Sequence, residues 1–172
     1  MLFFRNLLAI FSMVFMTMTT HAAKLQLDFM PDKAKQLAND AVKVVAQVSG
    51  QHLDYSPESL KIIDQVVLKF RKDGKTTGEI NKTLVAFGCY VGEVMVRNLG
   101  YKWENPDEKE MALGFDITGI RTTDGGLVNP VGKIFKLMKN GEEDNTVTFY
   151  AVYSKNPIDL IKRQKSVPHN GK

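Results

Sequence analysis

The sequence predicts an α+β fold: an N-terminal helical group, a small three-stranded antiparallel sheet and a C-terminal helical cover. Three observations carry this reading. Apolar residues recur at helical spacing in successive segments between Pro31 and Gly100. After Gly100 they give way to short segments with aromatic or branched residues, set between Asn-Pro-Asp and Asp-Gly-Gly turns. Asn129-Pro130 then restarts a helical pattern. With 172 residues, 44% of them hydrophobic and 24% charged, the chain has the size of one domain that buries a core without disulfide staples.

The first helix runs from Pro31 to Ser49. Leu37, Ala41, Val44, Val45 and Val48 share one face, Pro31 suits a first turn and Gly50 is the stop. A second helix starts at Ser56, whose hydroxyl can cap the free amides, with Pro57 and Glu58 in its first turn and Tyr55 placed to staple onto Leu60. It extends to about Lys72 with Leu60, Ile63, Val67 and Phe70 inward. The third helix, capped by Thr77 and ended by Gly100, carries Ile80, Leu84, Phe87, Val91, Val94 and Met95 as one stripe. Gly88 and Gly92 on its flank allow a neighbouring helix to come close.

Tyr101 to Glu104, Ala112 to Thr118 and Ile120 to Val128 read as a small antiparallel meander. The helix after Pro130 turns Val131, Ile134, Phe135 and Met138 inward and ends before Asn140-Gly141. Thr146 to Tyr153 is open between two states: its residues favour strand, whereas Asp144 or Asn145 could cap a helix. No internal repeat or linker interrupts the chain, so residues 24–161 form one domain.

The ends of the chain carry the compartment. A basic start at Arg5, an uncharged run from Leu7 to Met18 and small residues at its exit compose a secretory signal, residues 1–23, cut after Ala22 or Ala23. The apolar run is shorter than the ~20 residues of a membrane-spanning helix. The expected location is therefore periplasmic or secreted, with no integral membrane segment once the signal is removed. Loss of the signal takes Arg5 and no acid, leaving 22 Lys+Arg against 19 Asp+Glu, a charge of +3 that is too mild for a nucleic-acid partner. Cys89 is the only cysteine, so no internal disulfide forms. Residues 162–172, basic and holding Pro168 and Gly171, read as a frayed tail.

Three stretches together resemble a family of small bacterial domains of unknown function. They are Leu53-Asp54-Tyr55-Ser56-Pro57-Glu58-Ser59-Leu60 with Asp64, Gly88-Cys89-Tyr90-Val91-Gly92-Glu93 with Arg97, and Asn129-Pro130-Val131-Gly132-Lys133 leading to Asn140-Gly141-Glu142-Glu143-Asp144. The resemblance covers roughly Leu53 to Tyr153. It implies a small α+β domain and a helix over Thr146 to Tyr153, and it implies no activity and no catalytic residue.

The usual carriers of chemistry are missing. No HExxH, CxxC or paired Cys/His cluster offers a metal site, and no glycine-rich phosphate loop, dinucleotide fingerprint or GxSxG elbow is present, so no cofactor is expected. Cys89 with His52 as base is one candidate nucleophile, set against a plain packing thiol. Glu142-Glu143-Asp144 lacks the alternation of a calcium loop and reads as a solvated run. Tyr90, Glu93 and Arg97 fall within about 60° of one another on the third helix, away from Phe87 and Val91. Their bland reading is an exposed Glu93–Arg97 pair under a tyrosine; their sharp reading is a polar recognition patch on a rigid helix.

Two function classes compete. One is a protein-binding module that meets a protein partner in the cell envelope, of an inhibitor or immunity type. The other is an envelope hydrolase using a carboxylate pair, with Glu93 and Asp64 the first pair to inspect. A structural envelope protein without a specific ligand is a third possibility. The binding module is the expectation taken forward.

Overall fold

The structure is a computed structural model describing residues 31–154, apart from Asp116. The signal at residues 1–23 and the tail at 162–172 lie outside the described residues. The elements, in chain order, are α1 (Pro31–Ser49), a 3-10 turn (Pro57–Ser59), α2 (Leu60–Lys72), α3 (Asn81–Leu99), β1 (Lys102–Glu104), α4 (Glu108–Ala112), β2 (Gly119–Arg121), β3 (Leu127–Val128), α5 (Pro130–Asn140), a second 3-10 turn (Glu142–Asp144) and α6 (Thr146–Tyr153). This is the expected α+β architecture: a helix-rich domain with a three-stranded antiparallel sheet of order β1-β2-β3 and helices on both sides of it.

Local chemistry explains most boundaries. Ser56 accepts from the Ser59 amide at 3.2 Å and opens the turn that leads into α2. Asn129 accepts from Gly132 N at 2.6 Å with Pro130 in the first turn of α5, and Asn145 accepts from Thr148 N at 2.7 Å to start α6. That cap resolves Thr146–Tyr153 as helix. Gly100 ends α3 in the left-handed conformation, φ +74°, which a glycine adopts without steric cost.

Two expected elements differ. Helix α3 begins at Asn81, because the Glu79 carboxylate turns back to accept from the Thr76 amide and hydroxyl and closes a turn there. Ala112 to Thr118 is not a strand. Asp107 and Glu110 form a reciprocal capping box that nucleates α4 after β1, and the sheet resumes only at Gly119. The third strand comes instead from Leu127–Val128, across a hairpin in which Thr122 N donates to Gly126 O at 2.9 Å and Gly125 has φ +90°.

Helix α3 is the axis of the fold. It packs on α1 on one side, on α5 on another and on the sheet on a third, so every residue from Ala86 to Met95 is buried. A helix enclosed all round needs small residues where neighbours come closest. A Cβ on Gly88 would lie 2.4 Å from Val131 Cα of α5, and one on Gly92 would lie 2.2 Å from the Trp103 ring. The first glycine thus admits a helix, as expected, whereas the second admits an indole from the sheet.

Asp64 on α2 ties α6 to this core. Its carboxylate accepts from Thr146 N at 2.9 Å, in the interior. Burial pushes the carboxyl up from 3.8 to about 6, against the opposing pull of the Thr146 and Val147 amides and of Lys133. The folded protein therefore holds this proton more tightly than the unfolded chain does. Its contribution to stability is full below pH 3.8 and is lost as the pH rises through about 6. Between pH 4 and pH 7 wild type should lose about 2–3 kcal/mol relative to Asp64→Asn, a difference read from urea melts of both proteins at each pH. A constant difference would refute the raised pKa.

Candidate functional site

The polar residues of α3 converge with two aromatic side chains from other elements. Glu93 sits at the centre, 1% exposed. Its Oε1 accepts from the Trp103 indole N–H at 2.9 Å and its Oε2 from Arg97 Nε at 3.3 Å. Arg97 lies flat over the Tyr55 ring, its Cζ 3.5 Å from the ring centroid, with its side chain 47% exposed. The Tyr55 ring in turn stacks on Tyr90 at 4.7 Å between centroids.

The loop that presents Tyr55 is held by several hydrogen bonds. Tyr55 has φ +62° and is the one non-glycine residue with positive φ among the described residues, a conformation costing ~1–2 kcal/mol in a residue of this kind. Its amide donates to the Tyr90 hydroxyl at 2.8 Å, its carbonyl accepts from Asn98 Nδ2 at 2.9 Å, and its own hydroxyl donates to Asn39 on α1 at 2.7 Å. Ser59 donates its hydroxyl proton to Ser56 O at 2.6 Å, so Tyr90 is the donor in the 2.6 Å contact with Ser59 Oγ. Burial pushes the Tyr55 and Tyr90 phenols above their ordinary range, which keeps both protonated at neutral pH. Asp54 accepts from the Ser56 hydroxyl and amide, and these bonds hold its carboxyl below the usual range.

The sequence places Tyr90, Glu93 and Arg97 on an exposed face, and the structure corrects this. Tyr90 and Glu93 are interior groups and only Arg97 reaches solvent. The face opposite the apolar stripe is closed because the Tyr55 loop and Trp103 cover it. Tyr55 and Trp103, which the sequence reading did not assign to the site, supply its half-buried aromatic surface. Tyr55 stacks on Tyr90 beneath the Arg97 guanidinium.

The other candidates are placed elsewhere. Cys89 is buried and its thiol is pushed up to about 12 by burial and by the Glu93 charge, so it holds no thiolate at neutral pH, while His52 lies exposed. Asp64 and Glu93 have no partner in common: one faces the start of α6, the other Trp103 and Arg97. Of the acidic run, Asp144 accepts from Lys133 at 2.6 Å and from Asn140, a structural clasp across α5. No group of three or more His, Cys, Asp or Glu among the described residues is placed to hold a metal ion. A pocket of about 220 Å³ lies between β3, α5 and α6, lined by Leu127, Asn129, Lys133, Lys136, Phe149 and Tyr153. A second, of about 130 Å³, separates the end of α1 from α2 around Val48 and Phe70. Neither is lined by Asp64 or Glu93.

Comparison of the chain with protein-family models, curated proteins and solved structures finds no match. The site is therefore read from its own geometry. Residues 53–60 and 88–97 meet in it, with Tyr55, Ser59, Tyr90, Glu93 and Arg97 joined through the bonds above. Among the described residues no helix is long and apolar enough to cross a membrane.

Proposed function

We propose that the protein is an exported protein-binding module of the cell envelope, of an inhibitor or immunity type, whose recognition surface centres on Arg97, Tyr55 and Trp103. The observation that supports it most is the arginine itself. A half-exposed guanidinium is fixed from behind by an interior carboxylate and from below by a tyrosine ring, so its conformational freedom is already spent before a partner arrives. Arginine, tyrosine and tryptophan are the residue types that dominate interface energy. The reading of residues 1–23 as an export signal supports a partner in the periplasm or outside the cell.

The experiment is a pull-down from envelope extract with tagged protein, run in parallel with Arg97→Lys. Lysine retains a cation for Glu93 and removes the planar fork that stacks on Tyr55. A partner retained in stoichiometric amount by wild type and lost from the variant supports the reading. A partner held equally by both would place recognition elsewhere. N-terminal sequencing of the exported form tests the compartment, with Ala23 or Lys24 expected as first residue and an intact Met1 as the contrary result.

A further inference from the structure

We infer that the pocket between β3, α5 and α6 binds a small aromatic carboxylate, a single ring bearing one carboxyl group. The pocket has a volume of about 220 Å³ and shares no residue with the Arg97 site. No acidic residue lines it, whereas Lys133 and Lys136, one turn apart on α5, both do. The rest of its wall includes the Phe149 and Tyr153 rings of α6 and Leu127 of β3.

Its donors are held by contacts made within the protein. Asn129 Oδ1 accepts from Gly132 N at 2.6 Å, and the carboxamide lies so close over Gly132 that a Cβ there would meet Nδ2 at 2.8 Å. That bond commits the oxygen, so the Nδ2 protons are what Asn129 offers a ligand. Lys133 Nζ donates to Asp144 Oδ1 at 2.6 Å and stands 5.8 Å from the Phe149 ring centroid, its side chain 16% exposed. That bond takes one of the ammonium protons and leaves the others for a ligand. Lys136 is exposed and makes no ion pair among the described residues. Burial keeps the Tyr153 phenol protonated at neutral pH, so its hydroxyl is a further donor.

Charge, size and wall chemistry together select the ligand. Hydrogen bonds from Lys133 and Asn140, with the charges of Lys133 and Lys136, hold the Asp144 carboxyl below its usual range, so it is ionised and offsets one of the two lysines. One cation remains uncompensated, which matches a carboxylate and leaves a phosphate dianion a charge short. A cavity of about 150 Å³ takes benzene, and the further ~70 Å³ here equals roughly two waters, room for a carboxyl group on a short stem. Phe149 and Tyr153 meet edge to face, 5.4 Å between centroids at 70°, and a ligand ring can extend such a pair through its own edge or face.

The test is a titration of the isotope-labelled full exported chain with phenylacetate, followed through its amide signals. Saturable shifts centred on Asn129, Gly132, Lys133 and Phe149 are expected, with binding about tenfold weaker for neutral phenylacetamide and for acetate, which has no ring. Lys136→Gln should weaken phenylacetate binding about fivefold to tenfold and leave the fold intact, since that side chain is exposed. Lys139→Gln, on the same helix but outside the pocket, should bind as wild type. No saturable shift at about 10 mM phenylacetate would overturn the proposal. So would phenylacetamide binding as tightly as phenylacetate, because the charge would then go unread, or phenyl phosphate binding more tightly, because the site would then suit a dianion. Equal losses in the two lysine variants would also overturn it, by reducing the effect to the general charge of α5.

Discussion

Gly88→Ala is expected to lower stability by about 2–3 kcal/mol, the upper part of the range for overpacking a tight core. The added Cβ would lie 2.4 Å from Val131 Cα, 2.9 Å from its Cγ2 and 3.0 Å from its Cβ. Val131 is in the first turn of α5, where Asn129 and Pro130 fix the backbone, so no flexible side-chain end can give way. The two helices must separate, and the contacts around them are lost together. Gly78→Ala is the control: it has no positive φ and meets only Thr76 Oγ1, at 4.0 Å, so it should be close to neutral. Urea melts of both variants decide it, and a neutral Gly88→Ala would mean that α3 and α5 are further apart than described.

Glu93→Ala is expected to cost about 2–3 kcal/mol, because it strands a partly buried indole N–H and empties an enclosed site. The sequence alone ranks this substitution as nearly harmless, on the premise of an exposed helix pair; its burial reverses that ranking. Glu93→Gln keeps an acceptor for Trp103 and should lose less than half as much. Trp103 is the only tryptophan in the chain, so its fluorescence reports the site directly. The emission should move to the red in the alanine variant, where water reaches the indole, and remain in place in the glutamine variant. Equal stability of the two variants would contradict the role of the Trp103–Glu93 bond.

The elements that local chemistry dictates were legible from residues alone. The stop of α1 before Gly50, the Ser56 cap, the Gly100 stop and the Asn129-Pro130 start each depend on a few neighbouring residues. Helix α4 escaped notice because Ala112 to Phe115 has apolar residues suited to a strand, and the decisive signal lay upstream in the Asp107–Glu110 capping box. The Glu93–Arg97 pair was visible at its spacing of four, but its burial was not, since it depends on what covers α3 from elsewhere in the chain. One sign was available: from Ala86 to Val96 the sequence holds a single charged residue, as a helix enclosed all round would. Tyr55 reaches the site through a positive φ, and Trp103 by fitting against Gly92 across the sheet. No periodicity encodes either contact.

The central claim is that Arg97, held on Tyr55 by Glu93, is a prepared recognition group. Calorimetric titration of the captured partner against wild type, Arg97→Lys and the exposed control Lys82→Ala tests it most directly. Arg97→Lys should melt within about 1 kcal/mol of wild type, since the exposed end of an ion pair contributes little to folding. Its affinity should nevertheless fall by about 2 kcal/mol, roughly thirtyfold, as a central arginine of an interface does, while Lys82→Ala binds as wild type. Affinity unchanged by Arg97→Lys, in a protein that melts normally, would contradict the account.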